Sequence, residues 1–217
     1  MKEFLNSPDI FQLFGLIGCL IALGGSLVTV IFYRGKEGES YSVLNHHISE
    51  LGEVGVSKLA WVFNISMILA GLCLVLTCIS LGLVLPGIAP KIAIEFGIFY
   101  SICLSLSGVF PMNKPKPHGN AVLTHFRAGL ITVVIFSLGI AIQPAAEMLL
   151  SRWYALAALP AIISFTAFMI IAPQLSEEDN PIATAEIERP VVWPVVIVEW
   201  LMFLTTILWF VLIAWVL

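Results

Sequence analysis

Apolar residues in this chain do not alternate with polar ones; they run on. Nearly uninterrupted hydrophobic stretches cover about Ile10 to Tyr33, Leu59 to Leu85, Ile92 to Phe110, Ala121 to Ala145, Trp153 to Ala172 and Val191 to Leu217. Each is near or above the roughly 20 residues that a helix needs to cross a hydrocarbon layer of about 30 Å. Strands of a membrane barrel would alternate apolar and polar side chains over about ten positions, and these runs do not. The pattern predicts an all-α polytopic membrane protein, a six-transmembrane-helix bundle forming one domain over residues 1–217.

Composition agrees with the pattern. The chain is 59% hydrophobic and 11% charged with a mean hydropathy of +1.02, where a soluble domain carries about a quarter charged residues. The first run lacks the basic start and small-residue cleavage pattern of a secretory signal, so it is expected to remain as the first span. Cys19, Cys73, Cys78 and Cys103 fall inside spans without zinc-site spacing and read as packing residues. Glycines such as Gly15, Gly24, Gly25 and Gly71 suit close helix contacts. No internal repeat supports an inverted-repeat transporter.

Six spans place both termini on one face. Lys2, Lys91 and Arg152 fall there, against Arg34, Lys36, Lys58, Lys114, Lys116, Arg127 and Arg189 on the other, so the positive-inside rule predicts that the second face is cytoplasmic. The terminal face has tight hairpins. The opposite face carries the long connections 34–58, 111–120 and 173–190, the last with Glu177, Glu178 and Asp179.

Candidate chemistry concentrates on that loop face, where all four histidines lie. Ser42 to Val54 reads as a short interfacial helix, with His46 and Glu50 one turn apart and the pairs His47–Glu50 and Ser49–Glu53 at helical neighbour spacing. The plainer alternative is a set of polar residues solvating a loop. Pro111, Pro115 and Pro117 predict an extended, stiff spacer bearing Asn113, Lys114 and Lys116, with Gly119 turning the chain and Asn120 capping the fourth span. His118 and His125 lie on nearly one helix face, about 10 Å apart along the axis. Arg127 sits inside the fourth span, where a guanidinium must snorkel or pair. Asn64 suits a hydrogen bond to a neighbouring helix, and Glu95 and Glu199 lie near span ends where they reach water.

The segment Tyr41-Ser42-Val43-Leu44 through Ile48-Ser49-Glu50-Leu51-Gly52, followed by Trp61-Val62-Phe63-Asn64 and by Gly108-Val109-Phe110-Pro111 with His118 and His125, resembles the DUF998 family of prokaryotic membrane proteins. The resemblance implies a compact six-helix bundle in a prokaryotic cell membrane and no settled activity. Where that family often shows Asp after the Phe-Pro pair, this chain has Asn113, which removes one candidate carboxylate ligand or acid. A more distant likeness to the Frag1/DRAM/Sfk1 group of eukaryotic membrane proteins implies lipid-related roles without resting on individual residues.

Three functional readings follow. In the first, Asn64, Asn113, Lys114, Lys116, Arg127 and the histidines bind the headgroup of a membrane lipid or other anionic amphiphile through charge-assisted hydrogen bonds. In the second, an intramembrane hydrolase or transferase acts on a lipid, with His47, Glu50, His118 and His125 catalytic, or with His46, His47, His118 and His125 holding a divalent metal such as zinc. In the third, the protein is structural or binds a partner. No nucleic-acid partner is expected, and the oligomeric state is open. High-specificity motifs for metal hydrolysis or phosphate cradling are absent.

Overall fold

Besides a short N-terminal helix (Lys2–Leu5), six longer helices form in the computed structural model, which describes residues 2–172 and 189–217. They are α1 (Pro8–Phe32), α2 (Ala60–Val84), α3 (Ala89–Val109), α4 (Pro115–Ala141), α5 (Leu159–Ile171, entered through a 3-10 segment Arg152–Ala158) and α6 (Pro194–Val216). All six, the fifth counted with its 3-10 entry, are long and apolar enough to cross a membrane. The acidic stretch Glu177 to Asp179 lies outside the described residues.

Proline starts several of these helices. Pro8, Pro115 and Pro194 each occupy the first helical position, where the missing N–H would have had no intrahelical partner and the fixed φ already suits a helix. This corrects the reading of 111–120 as an extended spacer. Pro115 and Pro117 sit inside the first turn of α4, which therefore begins at Pro115 rather than Ala121 and ends at Ala141 rather than Ala145. Gly119 and Asn120 are helical residues, not a turn and a cap.

Successive helices pack on each other and α6 returns against α1, closing a ring. The buried faces are marked by small and hydroxylated residues: Ser26, Thr29, Thr77, Ser101 and Thr132 are fully buried, while Leu20 is 69% and Trp215 86% exposed on the outside. Lipid tails are as apolar as leucine, so burying large side chains against other helices gains little over leaving them in lipid, and close van der Waals approach decides the interface. The buried hydroxyls donate to their own helix, as Ser26 Oγ does to the Ala22 carbonyl (2.8 Å) and Thr132 Oγ1 to that of Ala128 (2.7 Å). Gly108 shows how close the approach is. A Cβ there would lie 2.4 Å from the main-chain oxygen of Asn64 on α2.

Residues 33–59 cross the loop face as a cap. Only Ile48–Gly52 is helical, as a 3-10 turn packed on α1, α2 and α6, so the longer helix over Ser42 to Val54 does not form. Local side-chain bonds win instead: Ser42 N–H donates to His46 Nδ1 (3.2 Å), Leu44 N–H to Ser42 Oγ (3.3 Å) and His47 N–H to Glu50 Oε1 (2.8 Å). Such bonds compete with helical ones. The terminal face is tied just as fully. Lys91 Nζ donates to the carbonyls of Gly82, Leu83 and Leu85, while the Gln143 side chain bonds main-chain groups of Ile140, Leu149 and Leu150.

The close α2–α3 approach yields an expected outcome. Gly108→Ala should destabilise the detergent-solubilised protein by about 1–3 kcal/mol, the usual cost of overpacking, whereas Gly24→Ala, which meets nothing within 4 Å, should leave the unfolding temperature unchanged. Thermal unfolding of the two variants side by side checks this.

Candidate functional site

Glu199 carries the deepest charge beneath the cap. It lies on the first turns of α6, is 6% exposed, and its Oε2 stands 2.5 Å from Nδ1 of His47 on the cap. The His47 ring also meets Trp193 edge-on at 4.9 Å. Burial pulls the imidazolium of His47 down, but the carboxylates of Glu199 and then Glu50 outweigh it, and the pKa is raised above the ordinary 6.5. The pair is thus a buried ion pair that joins the cap to the bundle.

A second buried carboxylate anchors the other side of the same turn. Glu50 is 4% exposed and takes both Arg189 Nη1 contacts, at 2.9 Å to Oε1 and 2.8 Å to Oε2, as well as the main-chain N–H of His47. Arg189 also donates to the Asn45 carbonyl (3.1 Å), and Trp193 N–H to that of Leu44 (2.7 Å). His46 is walled by the rings of Tyr33 and Tyr41, its Nε2 facing Glu39 at 3.7 Å. Burial lowers its pKa. Ser49 and Glu53 do not pair: Ser49 Oγ donates to Met112 Sδ (3.8 Å), and Glu53 meets Lys36 (3.2 Å).

The two polar stretches do meet. Asn113 Oδ1 accepts from Val54 N–H (2.7 Å) while its Nδ2 donates to Val54 C=O (2.8 Å). A carboxylate has no donor for the second bond, so Asn113 does here what Asp cannot. Asn64 Nδ2 donates to the Gly52 carbonyl (3.0 Å). Both asparagines therefore tie down the cap.

Under the cap lies a cavity of about 830 Å³, its open mouth included, with lining residues from all six helices and from Ile48 and Ser49 above. Its wall is mostly apolar: Met67, Leu74, Phe126, Phe165, Met202 and Phe210 face it. From Glu199 to Phe210 along α6 it spans about 16 Å, the thickness of one bilayer leaflet. His118 and His125 line it from α4. Each ring is fixed by a bond to α3: His118 Nδ1 to the Phe110 carbonyl (2.7 Å) and His125 Nδ1 to the Tyr100 carbonyl (2.9 Å), with the His125 ring stacked on Tyr100 at 4.2 Å.

Of the residues singled out from sequence, His118 and His125 border the cavity, while His47 and Glu50 reach it only through Glu199 and the cap. His46 stays in its aromatic pocket. Lys114 lies exposed above the Phe110 ring (5.8 Å), and Lys116 and Arg127 are also exposed, outside the cavity lining. A common pocket of imidazoles, lysines and guanidinium does not form. The four histidines likewise stay apart, and among the described residues no group of three His, Cys, Asp or Glu is placed to share a metal ion. The residues missed are Glu199 and Arg189. A lone carboxylate inside an apolar run was the available sign for the first, since intramembrane charges default to function.

The chain belongs to the DUF998 family, described as proteins of unknown function, whose model matches residues 17–216. Neither the curated proteins nor the solved structures contain a match to it.

The ion pair has a measurable pH signature. Because the folded-state pKa of His47 is raised above 6.5, its stabilising contribution is full below the unfolded-state value and is lost as pH rises through the folded one. Titration of His47 by NMR in micelles should give a midpoint above 6.5, and Glu199→Gln should drop it below 6.5 because burial then acts with much less opposition. Equal midpoints in the two proteins would show that the pair does not form.

Proposed function

We propose that this DUF998 member binds a membrane amphiphile in the central cavity, holding an acyl chain between the helices and the headgroup beneath the cap. The observation that carries this reading is the cavity itself: an apolar space as long as one leaflet, lined by every helix, with Ser49, Ser107, His118 and Glu199 at its cap end. Close packing holds these helices together, and a continuous apolar gap between all six of them is what an acyl chain would fill.

The geometry moves the candidate headgroup contacts from the lysines to the histidines. Lys114, Lys116 and Arg127 suit a different task, holding the loop face against anionic lipid headgroups, and the excess of basic residues on that face supports its placement in the cytoplasm.

Cavity filling tests the reading. Ala22 lines the cavity and is 5% exposed, so Ala22→Phe should fill it while leaving the loop-face cations intact. Native mass spectrometry of gently purified protein should show co-purified lipid on the parent and on Arg127→Ala, and lipid loss of about tenfold or more on Ala22→Phe. Retention by a folded Ala22→Phe equal to that of the parent would rule the cavity out as the binding site.

A further inference from the structure

The cavity's polar groups have their protons turned away from it. A main-chain carbonyl only accepts, so the bonds from His118 Nδ1 to Phe110 and from His125 Nδ1 to Tyr100 require the proton on Nδ1 in each neutral ring. Nε2 is then left as a bare lone pair, and neither Nε2 has a partner among the described residues. Ser107 Oγ spends its proton on the Leu104 carbonyl (2.7 Å) and Ser49 Oγ on Met112 Sδ. Glu199 is a carboxylate. Five groups lining one cavity, four near its cap end and His125 two turns deeper, therefore offer acceptors and no free donor. Only the hydroxyls of Tyr100, whose ring stacks on His125, and of Thr206 keep uncommitted protons, and Thr206 Oγ1 is buried without a partner.

Resting on the reading of the cavity as an amphiphile site, we propose that its ligand carries a hydrogen-bond-donating, uncharged headgroup: a hydroxylated lipid of the acylglycerol class, not a phosphate-bearing one. A phosphate would bring acceptor oxygens against the Nε2 lone pairs, with its charge removed from water and no cation facing it inside the cavity. Such desolvation without pairing is costly. A hydroxylated headgroup places O–H donors on those lone pairs, and Glu199, already neutralised by His47, does not call for a cationic headgroup. The proposal departs from the expectation of an anionic ligand at the same histidines.

The test uses the delipidated full chain and two probes with the same single oleoyl chain, monooleoylglycerol and oleoyl lysophosphatidic acid, with bound fractions read by native mass spectrometry. The glycerol lipid should bind at least about tenfold more tightly. The double variant His118→Asn/His125→Asn sets an amide N–H near each Nδ1 position, so the bonds to α3 survive while both Nε2 acceptors go; monooleoylglycerol binding should fall by about tenfold with the unfolding temperature kept. Equal or tighter binding of the phosphate lipid, or an undiminished affinity in the double variant, overturns the headgroup assignment while the cavity reading stands. Binding of neither probe removes both. Should the variant not fold, long-range proton–nitrogen NMR on the parent decides: protons on Nδ1 of both rings support the assignment, and protons on Nε2 overturn it.

Discussion

One carboxylate sets the terms for the loop face. Glu199 sits inside a helix that is otherwise apolar, at a depth where an ionised group without a partner is not sustainable. Its partner, His47, comes from a connection between two other helices, so the charge is neutralised only when residues 33–59 fold back over the bundle. The remaining contacts follow the same logic. Arg189 seals the second buried carboxylate, Asn64 and Asn113 satisfy main-chain groups of the cap, and Trp200 Nε1 donates to Tyr41 Oη (3.1 Å). A segment with little regular structure is thereby tied to the bundle at several points.

That arrangement explains why the cavity is a chamber with a polar roof of Ser49, Ser107, His118 and Glu199 and further polar groups, His125 among them, below it. Small and hydroxylated residues sit where helices approach closely, large ones are buried inside, as Phe136 and Trp209 are, as well as exposed outside, and the middle of the ring is left to residues from every helix. His118 and His125 use α3 carbonyls to fix their rings, which also locks α4 to α3. The same bonds that hold the helices together determine what the imidazoles can offer a ligand.

Much of the architecture was legible in the chain. Six spans, the tight hairpin between α2 and α3 and the meeting of the two polar stretches follow from run lengths and from parity, whereas the connection from α4 to the 3-10 entry of α5, residues 142–151, is ten residues long and not a tight turn. Span ends were misjudged where proline was read as a breaker, because Pro115 and Pro117 fall in a first turn that has no N–H bonds to lose. The site was less legible. His118 and His125 were visible as a helical pair, but helices apolar all round carry little information on rotation, so the outward direction of Arg127 and the inward one of Glu199 are properties of packing. Glu199 was discounted as a span-end residue that reaches water, whereas the cap excludes water from it. Glu50 was matched to histidines by spacing, and its principal partner, Arg189, is 139 residues away.

The central claim is that the Glu199 carboxylate holds the cap on the bundle. Hydrogen–deuterium exchange over residues 46–57, comparing the parent with Glu199→Gln in the same micelles, tests it most directly. The account expects slow exchange at the amides of Glu50, Glu53 and Ser57, which bond within the cap, and an acceleration of about tenfold or more when the charge is removed. Unchanged protection in the variant would contradict it.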